Sequence, residues 1–249
     1  MKDGYHLVWS DEFDRDGPPD RGKWSFETGA HWHNGELQAY TDRECNACVS
    51  NGQLHIRAVK EPWDGRDYTS ARMITYPHCA WQYGYFEVRA KIPNAPGSWP
   101  AIWLMPVSSR EGVPWPLCGE IDMMEHTMLE KDVLVYSLHS KNINHLLPRD
   151  RQRSVRVFDP GASDDFREYG LEWTKDAIVY FLDGREVCRY DRGGTNDYGI
   201  WPFDAPFYLI LNVAVGGFMG GPVRDGDFPC EMSVDYVRVY QRKENAAFD

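Results

Sequence analysis

"AIVYFLDGREVCRY", Ala177 to Tyr190, decides the class of fold. Two runs rich in β-branched and aromatic residues flank Asp183-Gly184, a pair suited to a two-residue hairpin turn. The stretch therefore predicts two antiparallel strands. The same signal recurs along the chain. "GQLHIRA" (Gly52 to Ala58), "YGYFEVRAKI" (Tyr83 to Ile92), "VLVYSLHS" (Val133 to Ser140) and "SVDYVRVY" (Ser233 to Tyr240) read as strands. "PFYLILNVAVGG" (Pro206 to Gly217) is apolar on both faces for several residues, which predicts a central strand. Turn signals such as "DGPPD", "NAPG", "PGASDD" and "GGTND" separate the runs. No helical stripe of useful length, repeat or linker interrupts them. The expectation is an all-β chain: two packed antiparallel sheets in a single domain over residues 1–249.

Composition narrows the function. The chain holds 10 Trp, 14 Tyr and 11 Phe, more rings than a core of this size calls for. The surplus suits stacking on flat apolar faces of a ligand. Net charge is −11, and no Lys/Arg block is present to neutralise phosphates, so no nucleic-acid partner is expected. The nearest run, "RDRQRSVR" (Arg149 to Arg156), reads as a solvated loop. No apolar stretch is long enough for a membrane span. The N-terminus "MKDGYHLVW" lacks the apolar core of a signal peptide, which fits a cytosolic protein or a chain trimmed at a mature boundary. Among six cysteines, "CNAC" (Cys45 to Cys48) has C-x-x-C spacing but no second pair. A loop disulfide or plain thiols are expected there rather than a metal. Three long connections, "TDRECNACVSN", "PVSSREGVPWPLC" and "KNINHLLPRDRQRSV", could wall a cleft.

One run does not obey strand alternation. "CGEIDMMEH" (Cys118 to His126) carries Glu120, Asp122 and Glu125 among apolar residues. In a regular strand Glu120 and Asp122 share one face and Glu125 falls on the other. One extra residue bulging out around Met123-Met124 would return Glu125 to the acid face and bend the strand. A straight strand would hold the Glu120 and Glu125 Cα atoms roughly 16 Å apart at ~3.3 Å per residue. Retaining glycosidases need carboxyl groups about 5–5.5 Å apart, which two long side chains on a bent strand could approach. In that chemistry one carboxylate attacks the anomeric carbon and the other begins protonated. A third acid, Asp122, could orient the nucleophile. The competing reading is a polar edge strand with solvated acids; the flanking Ile121, Met123 and Met124 speak against it.

Glu-Ile-Asp-Met-Met-Glu resembles the E-x-D-x-x-E signature of glycoside hydrolase family 16 in its bulged form. "LVWSDEF", "ELQAYT", "YTSARM", "YGYFEVRAKIP", "WPAIWLMP", "WPLCGEID", "LILNVAVGG" and "VDYVRVY" resemble laminarinase-like members in the same order, over nearly the whole chain. The resemblance implies a concanavalin A-like β-jelly-roll sandwich and endo-acting hydrolysis with retention. It implies Glu120 as nucleophile, Glu125 as acid/base and Asp122 as their assistant. Trp99, Trp103 and Trp115 match sugar-contacting tryptophans, Asn34 and Arg72 donor-side contacts, and His139 an acceptor-side histidine. The competing readings are a core residue for Trp103 and a structural histidine for His139; Glu36 and Glu87 read as structural.

The resemblance further implies a structural calcium, with Glu12, the Gly52 carbonyl and Asp235 as ligands, and no cofactor for catalysis. The implied partner is a polysaccharide or oligosaccharide, met by a monomer that is secreted, periplasmic or held at the cell surface. The implied activity is an endo-β-1,3(4)-glucanase. An endo-β-1,4-galactosidase is the alternative, because His126, His33 and Gly35 depart from the plain laminarinase pattern. A sugar-binding module without catalysis is a distant third, since a lectin has no need of three clustered carboxylates.

Overall fold

In the computed structural model, which describes residues 4–243, strands dominate and two sheets pack face to face. The hairpin forms as its sequence demands. Ala177–Leu182 pairs antiparallel with Arg185–Asp191, and Asp183 and Gly184 both adopt positive φ, 48° and 74°. That backbone twist matches the twist of the flanking strands.

Among the described residues, one sheet has ten strands and the other seven. The larger runs from Arg185–Asp191 through Ala177–Leu182, Arg167–Trp173, Gly84–Lys91, Cys230–Arg242 and Gln53–Trp63 to Arg66–Ser70 and Gln38–Tyr40. Tyr5–Asp11 pairs with Cys230–Arg242, and Ala47–Ser50 with Gln53–Trp63. The smaller sheet runs Arg153–Phe158, Val133–His139, Glu120–His126, Ser98–Pro106, Phe207–Val215, Arg72–Ile74 and Ser25–Phe26. The expectation of purely antiparallel pairing needs one correction: Gln38–Tyr40 lies parallel to Arg66–Ser70.

Alternation places the core. Ile102, Leu104, Ile121, Leu138, Leu209 and Leu211 of the smaller sheet meet Phe86, Val88, Leu171, Tyr180, Val237 and Val239 of the larger one, all essentially inaccessible. Phe207–Val215 is buried along its whole length and sits between two strands, as its doubly apolar sequence predicts. Gly170 has a packing reason of its own. A Cβ there would lie 2.2 Å from the Tyr85 hydroxyl, so only glycine permits that ring to cross the strand.

The outer face of the smaller sheet carries the polar and aromatic residues of interest. No helix among the described residues is long and apolar enough to cross a membrane. All six cysteines are free thiols. The Arg149–Arg156 run forms a short exposed turn and the start of an edge strand.

Candidate active site

The irregular strand Glu120–His126 lies between Ser98–Pro106 and Val133–His139. Against Val133–His139, Asp122 pairs with Ser137 but Glu125 with Val135, so two residues of one strand oppose one of the other. Against Ser98–Pro106, the shift falls between Asp122, opposite Trp103, and Met124, opposite Ile102. The extra residue is therefore Met123. Met123 and Met124 both enter the core, fully buried. Glu125 consequently emerges on the face that Glu120 and Asp122 occupy, and its Oε1 accepts a hydrogen bond from Trp99 Nε1 at 3.0 Å.

Neighbouring strands complete the surface through register. Glu125, Ala101, Asn212 and Arg72 form one row across four strands. Asp122, Trp103 and Ile210 form the next. Trp103 lies on this outer face rather than in the inter-sheet core. It packs beside Tyr208, Ile210 and Ile74, and its Nε1 donates to Asn212 Oδ1 at 2.7 Å. Asn212 in turn donates to the Tyr40 hydroxyl at 3.0 Å. Arg72 is clamped between the Trp103 and Trp32 rings, 4.6 and 5.1 Å from their centroids, with Glu27 as its ion-pair partner. Glu27 also pairs with Arg110. Stacking of this kind fixes a guanidinium more firmly than one exposed ion pair does. Asn34 stands in an exposed turn with φ 61°, and its carbonyl accepts from the Phe218 amide at 2.9 Å.

At the other end, His139 pairs with Glu120 across the ladder. Its Nε2 lies 3.1 Å from Asp122 Oδ2 and 3.9 Å from Glu120 Oε1. Trp115, from the loop before Glu120, packs on His139 with ring centroids 6.0 Å apart. Asp122 Oδ2, His139 Nδ1 and Trp115 Nε1 are all buried without a well-aligned hydrogen-bond partner. Native proteins rarely leave such groups unsatisfied, and three around one surface mark a place made for a polar ligand.

The carboxyls are held in an unusual state. Asp122 is only 2% exposed, and the Glu120 side chain 18%. Burial, reinforced by the Asp122 charge, pushes Glu120 up to about 8. Burial also lifts Glu125 to about 7, with His139 opposing and Glu120 adding to the rise. Asp122 goes up too, through burial and then the Glu125 charge. Near neutral pH the three therefore share protons as one unit. Ligand atoms of Glu120, Asp122 and His139 lie within 4.8 Å of one another. This is also the one grouping of metal-capable side chains among the described residues.

The expected calcium set does not fit. Both Glu12 oxygens accept from Arg238, at 2.9 and 2.7 Å, and Asp235 pairs with Arg89 at 2.5 Å. Both Glu12 oxygens and one Asp235 oxygen are thus bonded to guanidinium groups, which leaves the second Asp235 oxygen and the Gly52 carbonyl, short of the oxygen shell calcium takes. Trp32, Tyr40, Glu27, Arg110 and Asn212 joined the site unannounced. Only Asn212 carried a signal, as a lone polar residue inside "LILNVAV".

Comparison with known proteins identifies the family. A β-glucanase of Rhodothermus marinus is 46% identical over 246 residues, covering 95% of this chain and 85% of its own length. The crystal structure of the laminarinase from Rhodothermus marinus superposes with a TM-score of 0.90 at 45% identity, covering 95% of this chain and 97% of that one. A keratan-sulfate endo-1,4-β-galactosidase of Sphingobacterium multivorum is 34% identical over 244 residues, 95% of this chain and 55% of the relative. The model of glycosyl hydrolases family 16 matches residues 30–238. By bulged acid strand, sandwich and sequence alike, the chain belongs to glycosyl hydrolase family 16.

Proposed function

We propose that this hydrolase cuts internal β-1,3 bonds of β-1,3-glucan and of mixed-linkage β-1,3(4)-glucan, with Glu120 as nucleophile and Glu125 as acid/base. The observation that carries the assignment is the bulge at Met123, which brings Glu125 to the face of Glu120 and Asp122. Family members retain configuration and need no cofactor for catalysis. The reaction follows from the carboxyl environment. With Glu120 lifted to about 8 and Glu125 to about 7, the cluster shares its protons, and the reactive arrangement is the one with the proton on Glu125 and Glu120 ionised; from it the proton passes to the glycosidic oxygen as the Glu120 carboxylate attacks the anomeric carbon. The leaving sugar departs and a glycosyl ester forms on Glu120. Glu125, now ionised, takes a proton from water, and the water oxygen displaces Glu120 with β configuration restored.

Asp122 and the His139 beside it govern how many protons the cluster keeps. A crowded set of acids favours positive charge, which is what develops at the anomeric carbon in the transition state. Arg72, Trp103 and Asn34 line the donor side, with Trp99 holding Glu125. Trp115 and His139 line the acceptor side. All of these residues come from one chain, so a monomer suffices. Its place of work is outside the cytoplasm, where polymeric glucan is met, and residues 1–249 serve as one catalytic domain.

The 34% identity to a keratan-sulfate galactosidase keeps a galactan reading in the test. Oligosaccharide products should be assayed on laminarin, barley β-glucan, agarose and keratan sulfate. Release from the two glucans is expected; release from a galactan alone would replace the glucan reading. Glu120→Gln and Glu125→Gln should each lower kcat at least about a hundredfold with the fold intact. The first anomer seen by NMR should be β.

A further inference from the structure

The loop of residues 140–152, between Val133–His139 and Arg153–Phe158, does not simply edge the sheet. It returns over the site. Trp115 stands at the Glu120 end of the strands. Phe218 stands at the opposite end, just beyond Phe207–Val215, and is 74% exposed. The His145 ring lies between them: 5.3 Å from Trp115 at an interplanar angle of 33°, and 6.2 Å from Phe218 at 22°. His139 meets it edge-on from below, at 5.1 Å and 89°. Trp115, His145 and Phe218 thus form a row of three rings beside His139, the partner of Asp122.

The loop backbone is anchored, but the His145 ring is not. Buried Asn144 donates to the carbonyls of Ser140 and Lys141 and accepts from the Leu146 amide. Gln152 donates to the carbonyls of His145 and Leu147. No hydrogen bond holds the His145 imidazole among the described residues; ring contacts alone do. A side chain held this way can rotate out while its loop stays in place. What it vacates is a slot with an aromatic wall on either side and the unpartnered Trp115 Nε1 and His139 Nδ1 close by. A pyranose has flat C–H faces for the walls and hydroxyls for those two nitrogens.

We propose that His145 gates the acceptor side of the cleft: its imidazole fills the slot between Trp115 and Phe218 in the free enzyme, and the leaving-group sugar enters by displacing it. Phe218 is then an acceptor-side sugar contact. The inference rests on the hydrolase reading of the acid cluster and adds a residue to it.

The test compares KM on the polymer of the panel that the wild-type enzyme cleaves. With the competing ring gone, His145→Ala should lower KM about three- to tenfold. Adding Phe218→Ala to that variant should raise KM again, because the emptied slot loses a wall. A KM unchanged or raised in His145→Ala overturns the gate. A second readout needs no turnover. The His145 imidazole resonance, identified by its absence in His145→Ala, should be displaced by ring currents in the free protein. In the Glu120→Gln background, which binds sugar without cutting it, it should move toward the position of a free histidine on titration with a tetrasaccharide of that polymer, laminaritetraose if a β-1,3-glucan is the one cleaved. A resonance that does not move also overturns it. Cleavage of a galactan instead of glucan would remove the substrate assignment and leave this test standing. No cleavage of any polymer would remove both.

Discussion

The acid cluster should make the folded protein less stable as pH rises, and Glu120→Gln should relieve that. Glu120 is lifted from an ordinary 4.5 to about 8. Between those values the native state binds the proton more tightly than the unfolded chain does. Stability from this group is thus fully present below about pH 4.5 and is lost progressively as pH rises through 8. The ceiling on the loss is about 5 kcal/mol at 1.36 kcal/mol per pH unit. Some solvent reaches the side chain and the proton is shared with Asp122 and Glu125, so roughly 2 kcal/mol is the reasonable expectation. Glutamine matches the neutral carboxyl in shape and has no charge to lose. Thermal melts of wild type and variant should coincide near pH 4.5. At pH 9 the variant should melt higher by about 4–8 °C for a domain of this size. A gap independent of pH, or a wild type that gains stability toward pH 9, would refute the reasoning.

Two further outcomes follow from the fold. Deleting Met123 removes the bulge and should turn Glu125 toward the core, abolishing activity and lowering the melting temperature, whereas Met123→Leu keeps the register and should cost less than about 1.5 kcal/mol. An active deletion variant would disprove the role of the bulge. Chelation with EDTA should leave the melting temperature unchanged, since Glu12 and Asp235 are bonded to arginines; a drop restored by added calcium would show that the ion binds after all.

Local sequence carried much of this structure. The Asp183-Gly184 turn, the doubly apolar central strand and the broken alternation at Glu125 are all properties of a few consecutive residues, and each appears where its pattern places it. What the sequence could not carry is pairing between distant segments. Gln38–Tyr40 and Arg66–Ser70 are too short to show a period, and nothing local distinguishes a parallel partner from an antiparallel one. Glu27 meets Arg72 only because Ser25–Phe26 is laid beside Arg72–Ile74. The arginine beside the expected calcium set was hidden for the same reason. Glu12 has an oxygen chemistry that suits the ion, but Arg238 claims it once Tyr5–Asp11 pairs with Cys230–Arg242. His145 lay in a loop whose length hinted at a wall; its position between two rings depends on where both ends of the sheet converge.

The extra residue beneath the acids has one more consequence. It sets two thioethers side by side in the interior, Met123 and Met124, neither of them accessible to solvent. Peroxide can convert them to sulfoxides only in moments when this strand parts from the opposing sheet. The pace of their oxidation is therefore a clock for those openings, and the enzyme's working life in an oxidising medium is tied to how rarely its own floor lifts.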